Sequence, residues 1–414
     1  MPEARGNRGE GAAIEILKTN TASALESCGL AGFDDAGPHR HCAPPMSNPD
    51  FEAARLTVRL GAIVNNYRVC QRLAAPAMVS GVVKADAYGM GMAPCAKALA
   101  EAGCDTFFVA RLEEGIALRP RVPKARIFVL DGAPPDAVPA LLSHNLTPVL
   151  NSLSQIAAWQ AAAREMDDTL DAAVHIDTGM NRLGLPSDEL SALARDWRKK
   201  LESLRIVSWI GHLACSDDPS SKMNAMQLDR FRTALAMLPP APASLASSGG
   251  IMLGKDYVFD MVRPGIGLYG GNPQFGVANP FAVVGVLTGR ILQVRHADKG
   301  ESVGYGATFR VERPATLATV GLGYADGLMR AISNKGHGAI AGHRAPVAGR
   351  VSMDLITLDV TDVPQRLLET GADVEFMGDT IALDELAAAA NTAAYEILTS
   401  FKPRVHRRYT IEAQ

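Results

Sequence analysis

The strongest constraint on the fold is an alternation of β-branched runs with helical stretches from Leu56 to about residue 262. Eight runs are predicted as strands: a run ending at Lys84, then 106–109, 127–130, 148–150, 172–176, 206–210, 243–246 and 260–262. Helical periodicity between them covers 60–74, 94–101, 113–119, 153–164, 187–201 and 223–237. Repeated strand–helix units predict a parallel sheet, either closed as a (β/α)8 barrel or open and doubly wound.

After Phe281 the pattern changes to alternating β runs at 283–294, 315–321 and 347–360, and a helix is predicted at 383–393. This pattern indicates a second, mostly β domain. We therefore expect an extension at 1–50, a barrel domain at 51–281 and a β domain at 282–414. The extension is rich in Gly, Pro and charge, which predicts disorder. His39, His41 and Cys42 have no second ligand pair at zinc-like spacing, so no metal site is expected.

Composition narrows the possible partners. The net charge of −3 provides no basic surface for nucleic acid, and no run approaches the roughly 18 apolar residues of a membrane span. Neither partner is expected. The six cysteines form no C-x-x-C pair and lack the dense spacing of a secreted scaffold, which favours free thiols in the cytoplasm.

Lys84 is the first candidate for chemistry, because it ends a buried β-branched run and should lie at the carboxyl end of a strand. A lysine among apolar neighbours has a lowered pKa, so its free amine can condense with an aldehyde. The structural alternative is a strand-end lysine that extends to solvent.

The segment around Lys84, VVKADAYGMG at 82–91, resembles the motif in which bacterial alanine racemases bind pyridoxal phosphate (PLP). Further segments resemble the same family in the same order, at 175–184, 211–213, 261–266, 303–308, 323–327 and 349–354. The resemblance covers about residues 51 to 410. It implies the closed barrel followed by a β domain, and a racemase that interconverts L- and D-alanine for peptidoglycan or for alanine catabolism.

The resemblance also implies a set of site residues. Lys84 would carry PLP and act as the base on the D-alanine face, while Tyr305 would be the base on the L-alanine face. The implied cofactor-binding residues are Lys84, Tyr88, His212, Ser248, Arg263, Gly265 and Ile266. Arg182 and the backbone of Met353 would bind the substrate carboxylate. In the family the sites are shared within a homodimer, so Tyr305 and Met353 would reach Lys84 from the partner subunit.

Three positions depart from the family pattern. His175 stands where many members have a carbamylated lysine, so Arg182 must be positioned differently or by a bound anion. Ser352 replaces a cysteine. No tyrosine occurs at 399–404, so phosphate binding is expected to rely on Tyr88 and Ser248.

Four other functions are compatible with parts of the sequence. The glycines at 265–270 fit G-x-G-x-x-G, but no acidic residue follows at the distance a dinucleotide site needs. A non-catalytic PLP carrier would lack the second domain that contains Tyr305. A PLP decarboxylase of the same fold would need an acidic pocket for a distal amine. A racemase that acts on serine or on a broader range of amino acids stays open.

Overall fold

A computed structural model describes residues 52–411, which fall within one compact unit. The predicted extension at 1–50, with His39, His41 and Cys42, lies outside the described residues, as does Phe51. The first described strand is β1 (Ala54–Arg59). Among residues 52–411, no helix has both the length and the apolar character needed to cross a bilayer.

Every predicted barrel strand is present. The strands are β2 (Met78–Val79), β3 (Gly81–Val82), β4 (Thr106–Val109), β5 (Arg126–Val129), β6 (Thr147–Leu150), β7 (Leu170–His175), β8 (Leu204–Ile210), β9 (Ala243–Ser244) and β10 (Met261–Val262). Strands β3 to β9 pair in parallel in chain order, and β10 pairs in parallel with β2. Ser80, between β2 and β3, donates its N–H and its hydroxyl to the carbonyl of Val262, at 3.0 and 2.9 Å. The last strand therefore joins the first, which confirms the barrel rather than the open sheet.

Helices connect these strands. They are α1 (Leu60–Ala74), α2 (Lys84–Tyr88), α3 (Met92–Glu101), α4 (Leu112–Leu118), α5 (Val138–Ser143), α6 (Leu153–Glu165), α7 (Ser187–Arg195), α8 (Trp197–Lys200), α9 (Lys222–Ala236) and α10 (Ser248–Met252). The predicted helix at 187–201 is broken because Asp196 has the non-helical angles φ −138° and ψ 39°. The strands between the helices read as continuous apolar runs, since a parallel sheet is covered on both faces; all four residues of β4 are buried.

The second part of the chain forms a mainly antiparallel sheet. Its strands are β11 (Gly285–Ala297), β12 (Ser302–Val303), β13 (Phe309–Arg310), β14 (Ala315–Val320), β15 (His337–Ile340), β16 (His343–Pro346), β17 (Ile356–Asp359), β18 (Asp373–Met377) and β19 (His406–Thr410). The short strands β12 and β13 form a separate pair. Strand β1 lies between β11 and β19, so the sheet includes a strand from the segment assigned to the barrel domain. Burial alternates along the first half of β11, as expected for a sheet with one covered face.

Two predictions in this part need correction. The strand predicted at 347–360 is formed only at Ile356–Asp359, because the chain first makes a loop. Gly349 has φ +90°, and Ser352 closes the loop by donating its N–H to the carbonyl of Leu355 at 2.9 Å. The helix predicted at 383–393 ends at Ala389, as α11 (Leu383–Ala389), and is followed by α12 (Ala394–Ser400).

Candidate active site

Lys84 lies two residues after the end of β3 and begins α2, which is a left-handed turn rather than a regular α-helix. Ala85, Asp86 and Ala87 have φ of 52°, 53° and 54°, which is the left-handed region. Such angles cost an L-residue roughly 1–2 kcal/mol each, so contacts from elsewhere must hold the turn. The N–H of Ala85 donates to Oε1 of Glu114 at 2.6 Å, and Oδ1 of Asp86 accepts the N–H of Met92 at 2.6 Å. These contacts tie the residues after Lys84 to the first turns of α3 and α4.

A cavity of about 730 Å³ opens at the carboxyl ends of the barrel strands. The barrel residues expected to form the site all line it: Lys84, Tyr88, Arg182, His212, Ser248, Arg263, Gly265 and Ile266. Burial lowers the pKa of Lys84, and the nearby cation of Arg182 lowers it further. A larger fraction of its amine is therefore unprotonated, which favours its reaction with an aldehyde.

Arg263 is held rigidly at the base of this cavity. Its guanidinium donates to Oγ of Ser244, to the carbonyl of Gly211 at 2.6 Å and to that of Leu245 at 3.4 Å. Burial lowers the pKa of Arg263 to about 10, so the group stays cationic at neutral pH. Nδ1 of His212 lies 3.5 Å from Nη2 of this arginine. Burial, and then the charge of Arg263, hold the pKa of His212 well below its usual range, so its imidazole is neutral.

Another part of the cavity wall is formed by Tyr88, Ser248 and Gly265. Oγ of Ser248 accepts the N–H groups of Gly265 at 3.0 Å and Gly267 at 3.1 Å. A Cβ added to Gly265 would lie 2.2 Å from the hydroxyl oxygen of Tyr88, so only glycine admits that phenol here. The ring of Tyr88 stacks on Tyr269 with the centroids 4.8 Å apart. A phenol, a hydroxyl and glycine backbone N–H groups are thus close together, and such a cluster of donors suits an anion such as a phosphate.

Arg182 lies on a loop that is held by hydrogen bonds within the loop itself. Oδ1 of Asp177 accepts the N–H groups of Gly179 and Met180, both at 2.9 Å. The two ends of the loop also bond to each other, since the N–H of Leu185 donates to the carbonyl of His175 at 2.8 Å. The backbone of the loop is therefore fixed, whereas the guanidinium of Arg182 donates to no acceptor within residues 52–411.

Tyr305 and Met353 lie elsewhere. Tyr305 is 72% exposed and Met353 is 54% exposed. Tyr305 lines a separate cavity with Tyr324, Arg330, Val351 and Ser352, and neither residue lines the cavity that contains Lys84. The carbonyl of Met353 accepts the N–H of Ala325 at 2.9 Å, but the N–H of Met353 has no acceptor in the described part of the chain. One chain does not bring the two expected bases together.

Comparison with protein families assigns both parts of the chain. The family model "Alanine racemase, N-terminal domain" matches residues 58–273, and "Alanine racemase, C-terminal domain" matches residues 284–409. The chain belongs to the alanine racemase family.

Individual alanine racemases are similar over most of the chain. That of Rhodospirillum rubrum is 47% identical over 366 residues, which is 88% of this chain and 98% of the relative. The catabolic alanine racemase of Agrobacterium fabrum is 45% identical, covering 86% and 92% of the two chains. The crystal structure of the Bartonella henselae alanine racemase, which has covalently bound pyridoxal phosphate, superposes with a TM-score of 0.83 at 41% identity. That match covers 86% of this chain and 99% of the other.

One cavity residue was missed from the sequence. No tyrosine stands at 399–404, but α12 places Tyr395 in the cavity wall, 6.1 Å from Tyr88 between ring centroids. Thr399 lies one helical turn later, bonds through its hydroxyl to the carbonyl of Tyr395 at 2.8 Å, and lines the same cavity. The spacing of four residues was the available signal, since such pairs share a helix face.

Proposed function

We propose that this alanine racemase family member interconverts L- and D-alanine, with PLP bound through Lys84, by proton transfer between two bases. The observation that supports it best is the cavity itself. A lysine with a lowered pKa, a fixed guanidinium and a cluster of groups suited to an anion line one cavity at the barrel mouth. Those are the groups needed for the aldehyde, the ring nitrogen and the phosphate of PLP.

The residues present fit this cofactor. Ser248, the backbone of Gly265 and Ile266, and the hydroxyl of Tyr88 would hold the phosphate, with Tyr395 beside them. Arg263 uses its two Nη atoms on protein acceptors and leaves Nε–H for the ring nitrogen. Because a guanidinium keeps its protons, it can only donate to that nitrogen, which therefore stays unprotonated. When bound, PLP withdraws electrons from Cα of an amino acid and makes its hydrogen acidic.

The proton transfers fall to two side chains. The amine of Lys84 takes or returns the proton on the D-alanine face, and Tyr305 of the partner subunit does so on the opposite face. A phenol is a poor base at neutral pH unless its phenolate is stabilised. The neutral ring of His212, which lies next to the cation of Arg263, is the group we propose for that stabilisation. Arg182 and the free N–H of Met353 would hold the substrate carboxylate and so fix Cα between the bases.

The two locations support a homodimer with shared sites. Tyr305 and Met353 are exposed in one chain and line no part of the Lys84 cavity. In a closed twofold dimer, each chain would present them to the cavity of its partner. Their exposure supports this assembly, as does the N–H of Met353, which has no acceptor within residues 52–411.

The decisive experiment is to incubate purified protein and PLP separately with L-alanine, L-serine and L-lysine, and to separate the enantiomers by chiral chromatography. We expect L-alanine to reach an equal mixture with D-alanine. Turnover of L-serine would indicate a broader substrate range. Protein that binds PLP but racemises none of the three would contradict the proposal and favour a carrier.

A further inference from the structure

Asn151 bonds to three residues that line the cavity and has a fixed orientation. It follows β6 and is 7% exposed. Its Nδ2 donates to the carbonyl of Leu130 and to that of Val149, each at 2.9 Å. Turning the amide over would place its oxygen against these two carbonyls. Oδ1 must therefore point the other way, where it can only accept a hydrogen bond.

The group that meets this oxygen is His175. Nδ1 of His175 lies 2.9 Å from Oδ1 of Asn151, so Nδ1 must carry the hydrogen. Burial, followed by the nearby charge of Arg263, lowers the pKa of His175 to about 4; Arg182 acts in the same direction and Asp177 opposes them. The imidazole is neutral near pH 7, and its Nε2 is a bare acceptor.

The loop that contains Arg182 folds back onto this histidine. It ends where the N–H of Leu185 reaches the carbonyl of His175, and a Cβ on Gly184 would lie 3.0 Å from Cγ of the ring. His175 and Arg182 both line the cavity. The imidazole thus offers an acceptor that is unused within residues 52–411, in the same cavity as a guanidinium that has no acceptor among those residues.

We propose that Asn151 is a positioning residue, which holds His175 as its Nδ1–H tautomer and so leaves Nε2 free to accept an N–H of Arg182 when that guanidinium turns toward the substrate carboxylate. The inference rests on the proposed role of Arg182 as a carboxylate donor. The pair would be a neutral substitute for the anionic carbamylated lysine of related racemases. A neutral acceptor orients the arginine without offsetting its charge, which leaves the cavity attractive to anions.

The first test is spectroscopic and does not depend on activity. In PLP-loaded protein labelled with ¹⁵N in its nine histidines, long-range proton–nitrogen correlations should find one ring with Nδ1 protonated and Nε2 bare from pH 6 to 9. The His175→Gln variant should lack that signal and so assign it. A ring at this position that is protonated on Nε2, or on both nitrogens, would overturn the proposal.

The second test compares matched variants. Glutamine can place an amide oxygen near the position of Nε2, whereas leucine of similar size cannot accept a hydrogen bond. We expect His175→Gln to keep KM for L-alanine within about threefold and His175→Leu to raise it about tenfold, the size expected for one hydrogen bond to a charged group. Asn151→Ala should raise KM in the same direction and convert the NMR signal to mixed tautomers. PLP content is checked in each variant.

The outcomes separate the two proposals. Equal KM values for the glutamine and leucine variants would reject the acceptor role of His175. The Arg182→Gln variant provides the reference, since it should raise KM more than either. If that variant leaves KM unchanged, the carboxylate role of Arg182 fails, whatever tautomer the NMR spectrum assigns to His175. A wild-type KM that depends on added chloride or bicarbonate would also overturn the inference, because a bound anion would then position Arg182.

Discussion

The two sides of the proposed site are built very differently. On the barrel side, Arg263 and Ser248 are buried and bonded inside the chain, and Lys84 begins a strained turn that α3 and α4 hold in place. On the β-domain side, Tyr305 and Met353 are exposed, and the N–H of Met353 is unused in the described chain. This contrast indicates that a single chain supplies all the groups that suit the cofactor. The second base and one carboxylate donor would be added by assembly.

The largest expected effect tests the barrel side. We expect Lys84→Ala to lower racemisation at least about 10⁴-fold, because it removes both the cofactor attachment and one base. After borohydride reduction and digestion, the cofactor mass should be found on the Lys84 peptide of the wild type. Lys97→Ala is the matched control, since Lys97 is exposed on α3 and pairs only loosely with Glu101. A reducible adduct that persists on another lysine would reject the assignment.

The next prediction tests the β-domain side. We expect Tyr305→Phe to lower turnover about 10²–10⁴-fold, the usual contribution of one acid–base group. The variant is then unfolded and refolded with an equal amount of Lys84→Ala protein. A mixed dimer has both lesions in one site and none in the other. Random pairing makes about half the dimers mixed, so roughly a quarter of wild-type activity should return.

A second mixture controls this experiment. Lys84→Ala and Arg182→Gln both affect the barrel side, so each site of their mixed dimer contains one lesion and no full site forms. The racemase activity of that mixture should equal the summed activities of the two parent proteins. The mixture of Tyr305→Phe and Lys84→Ala proteins is then the test, with subunit exchange verified by mass. If its activity is also only the sum of its parents' activities, the shared-site model is wrong and the difference between the two sides has no functional meaning.

The sequence predicted these regions unevenly. The barrel strands followed from local composition, since buried parallel strands are continuous apolar runs. The place of β1 did not, because it depends on pairing with β11 and β19, more than two hundred residues away. The left-handed turn after Lys84 was also invisible, since none of its residues at 85–88 is glycine and its partner Glu114 lies 29 positions away. Lys84 was singled out by its place at the end of a buried β-branched run, the other site roles came from resemblance, and all of them stay predictions.

A smaller effect is expected where the barrel side is tightest. In Gly265→Ala the new Cβ would collide with the hydroxyl of Tyr88, and relief of such overpacking costs about 1–3 kcal/mol. We expect PLP affinity, measured by equilibrium dialysis, to fall by about 5- to 150-fold. Adding Tyr88→Phe removes the colliding oxygen, so the double variant should lose less than the two single variants combined. Strictly additive losses would mean that the contact does not shape the anion site.

The smallest expected effect tests whether every site residue from the second half of the chain acts in the partner subunit. Tyr395 belongs to α12, in the second half of the chain, yet it lines the cavity of its own Lys84. Its side chain is about half exposed, so loss of one hydroxyl contact in Tyr395→Phe should weaken PLP affinity by only about two- to tenfold. Tyr409→Phe is the control, because Tyr409 lies on β19 and does not line this cavity.

Subunit mixing can determine which chain supplies Tyr395. A chain with both Tyr305→Phe and Tyr395→Phe is refolded with Lys84→Ala protein, so that only mixed dimers contain a working site. That site uses the barrel of the double variant and Tyr305 of the partner subunit. If Tyr395 acts within its own chain, the recovered activity will need two- to tenfold more PLP than in the Tyr305→Phe mixture. An unchanged PLP requirement would mean that Tyr395 also crosses the interface, and the second half of the chain would then serve only the partner.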